Sequence, residues 1–341
     1  MASTFKTFGS DDQTTVPTNL HEVIPVTGTI VSGTYSDNNI KNYAHEMFQS
    51  VYDYPFLSSS ANHVYDITAG FSSNSALSGA TGVVQNEKKI NIYNQFAKIL
   101  VQPDITGSIQ DFDQDGDLSA GGTKMKECIF MPFSRLLAKD EIKKGSVQLT
   151  FITGGAHAYP QTGDTKTLFD AGAQTDYKVN SPAGEYGLLY SNSSGTGNSI
   201  GHVYYQAGVA VVTASVFENF GFEGQTGYSV NQALVSASIT SSANALRHRT
   251  QNLQFNNTTE LNSTIYFCRA SANEFNYSSN PTYLSGSKVV VKNTRTDTPV
   301  SYITTVGLYS SDNVLLAVAK LSEPLKKDPT NELTLRVRLD F

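Results

Sequence analysis

The sequence contains no tryptophan, only two cysteines and few charged side chains. Two cysteines, Cys128 and Cys268, are too few for a disulfide framework; we expect two free thiols in the core, and a single bridge is the alternative. Charged residues make up 16% of the chain, against about 25% in ordinary globular proteins, while 18 Tyr and 18 Phe supply large apolar side chains. This composition favours β-structure and protein–protein surfaces over a freely diffusing enzyme.

An excess of positive charge is also missing, because the net charge is −6. Nucleic acids and anionic membranes both attract clustered Lys and Arg, so neither is an expected partner. The first residues lack the apolar core of a secretory signal. The longest apolar run, 207–217, is interrupted by Thr213 and Ser215 and is too short to cross a bilayer. We therefore expect a protein that is synthesised in a cytoplasm and stays soluble until it meets a partner.

Motifs that would specify a reaction are missing as well. His45-Glu46 begins an H-E-x-x-H pattern, but Gln49 stands where the second zinc-binding His is required. A G-x-S-x-G elbow, a Cys/His pair and a phosphate-binding G-x-G-x-x-G are not found. The sequence therefore predicts neither catalytic residues nor an organic cofactor.

Hydrophobic periodicity predicts an α+β protein that is mainly antiparallel β, with long loops. Apolar residues at spacings of three and four predict helices at about 40–54, 88–100 and 231–249. Short or alternating apolar runs predict strands near 64–67, 129–131, 146–153, 187–190, 202–205, 208–216, 261–269 and 288–292. The expected organisation is an N-terminal arm at 1–35, with a loosely ordered tail as the alternative, an α+β body at 36–260 and a C-terminal β-rich region at 261–341.

The last forty residues carry the clearest pattern. Apolar-rich runs at 301–308 and 314–321 flank a cluster of turn formers at 309–313, which predicts a β-hairpin. A second break is expected at 324–331. The final segment then places alternate apolar residues on one face, which predicts a half-buried strand: Leu333, Leu335, Val337, Leu339 and Phe341. Because chain ends fray unless a sheet ties them down, we expect this strand to lie in a core or an assembly.

An alternating run of aspartates begins at Asp111. The carboxylates of Asp111, Asp113 and Asp115 could converge on a hard cation, and Gly116 permits the sharp turn of a calcium loop. The twelfth position of such a loop, which should be a bidentate Glu, is Gly122. The run therefore predicts a weak or accessory Ca²⁺ site, with a solvated acidic loop as the alternative.

A Tyr- and Asn-rich loop at 273–283 is the best candidate for recognition of a partner. Phe275, Tyr277 and Tyr283 offer rigid apolar anchors, and the surrounding Asn and Ser side chains offer adaptable hydrogen bonds. On the terminal strand, Arg336 and Arg338 lie on the polar face and are further candidate contacts. Sugar binding by the aromatic side chains is conceivable, but protein contact is the favoured interpretation.

Several segments resemble virion structural proteins of contractile-tailed bacteriophages, especially phages of cyanobacteria and other aquatic hosts. The resemblance lies in the 273–283 loop, in the hairpin 305–309 with 315–324, and in the closing Leu-Arg-Val-Arg-Leu-Asp-Phe; residues 204–212 and 43–61 are similar to the same group. It implies a tail, baseplate or neck component, with the baseplate favoured. Its implied partners are other virion tail or baseplate proteins and copies of itself, and its implied location is the virion tail.

The leading hypothesis is therefore a non-enzymatic structural subunit that acts through assembly contacts. A neck or head–tail connector subunit and a peripheral carbohydrate- or receptor-binding tail module are the alternatives. A wall-degrading hydrolase is a third option, which would need paired acids in an aromatic cleft.

Overall fold

The computed structural model describes residues 5–22, 37–118, 121–154, 162–217, 234–278, 284–286, 288–289, 296 and 298–340. The α-helices within these ranges are α1 (Asn86–Leu100), α2 (Arg135–Ala138) and α3 (Ile239–Arg249). The strands are β1 (Gln13–Glu22), β2 (Ile40–Asn42), β3 (Gln49–Tyr52), β4 (His63–Phe71), β5 (Phe112–Asp113), β6 (Lys124–Met125), β7 (Glu127–Pro132), β8 (Glu141–Ile142), β9 (Gln148–Ile152), β10 (Thr165–Phe169), β11 (Tyr186–Leu189), β12 (Gly201–Tyr204), β13 (Val209–Thr213), β14 (Thr250–Gln254), β15 (Asn257–Ala270), β16 (Leu284–Ser285), β17 (Lys288–Val289), β18 (Ser301–Tyr309), β19 (Leu315–Lys327) and β20 (Leu333–Asp340). The expected α+β class, with mainly antiparallel sheet, is confirmed.

The chain folds into two compact units. Met1–Asn19 and Glu260–Phe341 together form one unit, and Leu20–Thr259 forms the other. We call them the terminal unit and the central unit. No helix among the described residues has the length and apolar character needed to cross a membrane. Both cysteines are free thiols, with Cys128 buried and Cys268 half-buried.

A seven-stranded sheet of order β11-β12-β13-β7-β4-β3-β2 forms the middle of the central unit, and its neighbouring strands run antiparallel. Side chains alternate between the two faces of a strand. Both faces of a sheet can therefore be buried only where its side chains are apolar or have their polar groups hydrogen-bonded. On β7, Ile129 and Met131 belong to one core cluster while Cys128 and Phe130 belong to the other. The sheet therefore lies between two separate cores.

One helix covers each face of this sheet. Ile92, Tyr93 and Leu100 of α1 pack into the core that contains Phe130. Leu246 of α3, together with the three-stranded sheet β10-β9-β14, packs into the other core.

Gly70 on β4 allows α1 to lie close to the sheet. A Cβ atom added at this position would be 2.5 Å from the backbone oxygen of Lys89 and 3.1 Å from the backbone nitrogen of Tyr93. Real Cβ atoms do not come this close to backbone, so the contact between β4 and α1 depends on glycine.

The predicted helix at 40–54 is wrong. This segment forms strands β2 and β3, which pair with each other through Ile40 and Val51, and β3 continues the sheet against β4. Between them the backbone turns at Glu46, which has φ +57°, and Glu46 N donates to Tyr43 O at 3.0 Å. Apolar residues at three- and four-residue spacing fit a helix locally, but a sheet edge that needs partner strands overrides that preference.

The other predicted helices are confirmed within the described residues, with one change. α1 covers the expected 88–100 segment. In the expected 231–249 segment, residues 231–233 lie outside the described part, residues 234–236 are helical, and α3 begins only at Ile239. The reason is Ser238, whose hydroxyl accepts a hydrogen bond from Ser241 N at 3.1 Å and so starts a new helix as its N-cap.

The terminal unit contains the sheet strands β1, β15 and β20 and the hairpin β18–β19. The predicted terminal strand is confirmed as β20, which pairs antiparallel with β15 and buries Val337; Phe341 lies outside the described residues. The predicted hairpin is also confirmed, but the expected break at Pro324 is wrong because β19 continues to Lys327. Pro324 is tolerated because the register shifts between Ile303 and Thr305, so it lies in a bulge that needs no ladder N–H.

Candidate functional site

The aspartate run lies in a hairpin loop of the central unit. Strands β5 and β6 pair Phe112 with Met125 and Asp113 with Lys124, and Gln114 N donates to Thr123 O at 2.9 Å. Phe112 is fully buried in the core beneath the loop, so the start of the run is anchored by packing. This anchoring gives the first part of the acidic loop a fixed backbone.

Three carboxylates converge in this loop, but they are not the predicted three. Ligand atoms of Asp113, Asp115 and Asp117 all lie within 4.8 Å of one another. Asp111 is held elsewhere, because Ser72 Oγ and Asn74 Nδ2 donate hydrogen bonds to its two carboxylate oxygens. The structure thus brings Asp113 and Asp115 together as predicted, replaces Asp111 by Asp117, and places Asp111 in a loop-fixing role.

Asp113 is the buried member of the cluster. Its Oδ2 forms an ion pair with Lys124 Nζ, while its Oδ1 is buried and has no hydrogen-bond partner among the described residues. Burial raises the pKa of the Asp113 carboxyl; the Lys124 ammonium opposes this shift, and the adjacent Asp115 and Asp117 carboxylates add to it. Asp115 and Asp117 are exposed, so the cluster opens to solvent on one side.

The turn at Gly116 is fixed by hydrogen bonds to its carbonyl oxygen. Its carbonyl oxygen accepts a hydrogen bond from Asn180 Nδ2 at 2.9 Å, and the buried Tyr186 hydroxyl lies 2.9 Å from the same oxygen. Gly116 has φ +72°, a conformation that glycine adopts without strain. Gln114 is held as well, since its carbonyl accepts from Ser199 Oγ. These contacts fix the aspartates before any ligand arrives.

A second candidate site is the hairpin β18–β19 of the terminal unit. Among the described strands, β18 and β19 pair only with each other, so each has an outer edge without a strand partner. Large apolar side chains are exposed along the hairpin, with Leu316 at 67% exposure: Tyr302, Tyr309, Val314, Leu315, Leu316 and Val318. Between Ser301 and Leu321 the only charged residues are Asp312 and Lys320. Residues 301–321 of the hairpin therefore form a largely uncharged, apolar surface, whereas the end of β19 carries Glu323, Lys326 and Lys327.

The predicted contact residues are mostly exposed. Phe275 and Tyr277 are 46% and 59% exposed, whereas Tyr283 lies outside the described residues. Arg336 is exposed on β20, and the exposed Arg338 donates to Asp340 at 2.7 Å and to Ser263 Oγ at 2.9 Å. Arg338 is thus already engaged within its own sheet.

Sequence reasoning missed the residue that fixes the aromatic loop. The fully buried Lys327 donates from Nζ to Ala272 O at 3.2 Å, to Asn276 Oδ1 at 2.7 Å and to Asp328 O at 2.9 Å. A lysine next to another lysine and a proline-containing loop gives no sequence signal for burial, because lysine is almost always exposed.

A cleft of about 430 Å³ lies on the central unit, between the 45–48 turn and α1. Its walls carry His45, Phe48 and Phe96, and Asp66 is the acidic residue among its described lining. Asp66 accepts hydrogen bonds from Ser50 Oγ at 2.5 Å and from His63 Nε2 at 2.8 Å, and the bond to Asp66 raises the pKa of His63. One engaged carboxylate does not provide the pair of acids that glycoside hydrolysis requires.

Comparisons with protein-family models, with curated proteins and with solved structures found no match to this chain.

Proposed function

We propose that this protein is a non-enzymatic structural subunit that acts through protein–protein contacts, in the baseplate of a contractile phage tail. The observation that carries the proposal is the hairpin β18–β19, with its exposed apolar side chains and unpaired edges. The resemblance of the 273–283 loop and the C-terminal segments to phage virion proteins supplies the kind of assembly. Exposed Phe275 and Tyr277 are the second proposed contact surface.

A hairpin with this much exposed apolar surface is unfavourable in free energy unless a partner covers it. A two-stranded hairpin is marginally stable alone, and proteins usually protect an exposed edge with charge, proline or a covering element. Here residues 301–321 of the hairpin carry little charge, and their exposed apolar side chains would each contribute about 1–3 kcal/mol if a partner covered them. Contiguous exposed apolar surface of this type marks interaction sites in soluble proteins. Copies of the same chain and other tail proteins are the proposed partners.

The test compares two double variants of matched chemistry. Leu316→Ser with Val318→Ser removes apolar surface from the hairpin, while Leu57→Ser with Leu136→Ser removes two leucines that are 86% exposed on the central unit. All four side chains are largely in solvent, so both variants should fold with little loss of stability. We expect the hairpin variant alone to lose self-association in light-scattering measurements and incorporation into purified phage particles. Equal incorporation of the two variants would refute the proposal, as would absence of the wild-type chain from particles.

The alternative of a carbohydrate- or receptor-binding tail module is favoured by the cleft at His45, Phe48 and Phe96. Aromatic walls with one polar carboxylate are features of small-ligand sites. A glycan array separates the two functions: specific sugar binding that Phe48→Ala abolishes would support the module, and hairpin-dependent assembly without sugar binding would support the structural subunit. A neck position differs from a baseplate position only in where cryo-electron microscopy of the virion finds the copies.

A further inference from the structure

The acidic loop contains a buried carboxylate oxygen that no group of the described residues satisfies. Asp113 has no exposed surface, and its Oδ1 has no hydrogen-bond partner. An unsatisfied buried polar atom costs about 1–3 kcal/mol, and more for a charged group, so such an atom normally has a ligand, a proton or an ion. Lys124 forms its ion pair with the other oxygen of this carboxylate, Oδ2.

Glycine at position 122 keeps side-chain carbon away from this oxygen. Gly122 lies next to it: a Cβ atom added there would be 3.3 Å from Asp113 Oδ1 and 3.8 Å from Asp115 Oδ2. Gly122 has φ +62°, so a larger residue would be strained as well as close to the carboxylates. Position 122 thus carries no side chain against the buried oxygen of Asp113 or the carboxylate of Asp115.

The spacing of the carboxylates fits a large hard cation. Oxygens on opposite sides of one Ca²⁺ are separated by about 4.6–5.2 Å, because each Ca–O distance is about 2.3–2.6 Å. The ligand atoms of the three aspartates fall within 4.8 Å of one another. Mg²⁺ demands a stricter octahedral geometry and keeps several of its waters, so a set with two exposed carboxylates favours Ca²⁺.

The charge of the cluster fits a divalent ion. Three aspartates with one lysine leave two negative charges, which one divalent cation would balance. Counted from Asp113, the twelfth residue is Lys124, where an EF-hand loop carries its bidentate glutamate. The ammonium of Lys124 therefore reduces the affinity that the aspartates would otherwise give.

We infer that Asp113, Asp115 and Asp117 form a surface site for one divalent cation, Ca²⁺ in preference to Mg²⁺. Asp113 is the fixed buried ligand, and the exposed Asp115 and Asp117 close on the ion from the solvent side. With few protein ligands and a competing lysine, the dissociation constant is expected on the order of 10⁻⁴–10⁻³ M. The inference does not depend on the assembly role. The competing occupant is a proton shared between the Asp113 and Asp117 carboxylates.

Terbium luminescence tests the site directly, with the full-length protein. Tyr186, whose hydroxyl lies 2.9 Å from Gly116 O, is close enough to the loop to sensitise a bound Tb³⁺ ion. We expect tyrosine-sensitised emission that CaCl₂ displaces at lower concentration than MgCl₂. Asp115→Asn with Asp117→Asn should weaken Tb³⁺ binding about tenfold or more, since two of the three carboxylates are lost. Both residues are exposed, so the double variant should fold.

Two further variants make the test specific. Asp176→Asn removes an exposed carboxylate of the central unit outside the cluster and should leave binding unchanged. Lys124→Gln removes the competing ammonium and should tighten binding of Tb³⁺ and Ca²⁺. Absence of sensitised emission in the wild type, or equal binding by the double variant and Asp176→Asn, would overturn the metal site and leave the shared proton as the occupant. Displacement by MgCl₂ at the same concentration as CaCl₂ would overturn the calcium preference.

Discussion

Lys89 provides a quantitative test of how the central unit is held together. Its side chain is 1% exposed, and its ammonium donates to Leu234 O at 2.6 Å and to Ala237 O at 2.7 Å. Desolvation lowers the pKa of Lys89 from 10.5 to about 8. The charged form is therefore disfavoured in the fold, although the two carbonyl oxygens remain bonded after deprotonation, since a neutral amine still donates two hydrogens.

The sign of the pH dependence follows from proton binding. Between about pH 8 and pH 10.5 the unfolded chain keeps the proton on Lys89 and the folded chain releases it, so stability rises with pH across this window. A shift of about 2.5 pH units corresponds to about 3 kcal/mol in total, of which about 2 kcal/mol is gained between about pH 7 and pH 9.5. Above about pH 10 the buried Tyr93 and Tyr205 act in the opposite direction, because burial raises the pKa of each phenol.

Lys89→Met isolates this contribution. Methionine fills a similar volume and has no titratable group, so the variant should lack the rise of about 2 kcal/mol between about pH 7 and pH 9.5. Urea unfolding of both proteins at several pH values in this range gives the difference in unfolding free energy, which should change in favour of the wild type as pH increases. If the two free energies change in parallel with pH, Lys89 is not a buried charge and the reasoning fails.

Three further outcomes are expected. Asp170 accepts hydrogen bonds from Gly145 N, Val147 N and Tyr205, but burial outweighs them and raises its pKa to about 6. Its contribution to the unfolding free energy should therefore decrease by about 2 kcal/mol as pH rises from about 4 to about 6. Asp170→Asn, unfolded in urea at both pH values, should lose that dependence. Gly70→Ala should lower the unfolding free energy by about 1–3 kcal/mol, because the added methyl group pushes α1 away from β4. Gly79→Ala is the control in the same melting experiment, since a Cβ atom added there meets nothing within 4 Å. Equal melting temperatures for the two variants would contradict the close contact. Val337→Asp should lower the unfolding free energy by more than about 2 kcal/mol, because the new carboxylate would be buried unpaired on β20. A soluble variant with an unchanged melting temperature would show that this face is not buried.

The parts of the fold that local sequence pattern predicts are those in which local and tertiary preferences agree. The terminal strand around Val337 alternates apolar and polar residues, and a single sheet face uses that alternation directly. The β18–β19 turn is predicted by its cluster of Ser, Asp and Asn, and Asn313 adopts the left-handed conformation that asparagine tolerates. The 40–54 segment fails because a helix and a β-hairpin both place Ile40 and Val51 on an apolar side, and only pairing with β4 decides between them.

The acidic site shows a different limit. The run of aspartates indicates where carboxylates are, but the choice between Asp111 and Asp117 depends on Ser72 and Asn74, which are distant in sequence and bind Asp111. The ion pair between Lys124 and Asp113 likewise cannot be inferred before the pairing of β5 with β6 is known. Spacing therefore predicted where carboxylates gather, while which three of them converge depends on the groups that bind each carboxylate.

Three buried cationic side chains make the same kind of contact, a hydrogen bond to backbone carbonyl oxygens. Lys89 binds the carbonyls of Leu234 and Ala237, Lys327 binds those of Ala272 and Asp328, and Arg249 donates to the carbonyls of Ile152 and Gly154. Each of these buried cations thus satisfies backbone oxygens at the ends of helices, strands or loops, where no ladder partner is available. Among the described residues, the ammonium of Lys89 is bonded to two backbone carbonyls and no carboxylate offsets its desolvation, so this contact fixes an irregular segment at a cost in stability. The proposed assembly role rests on low overall charge and on the exposed apolar side chains of residues 301–321.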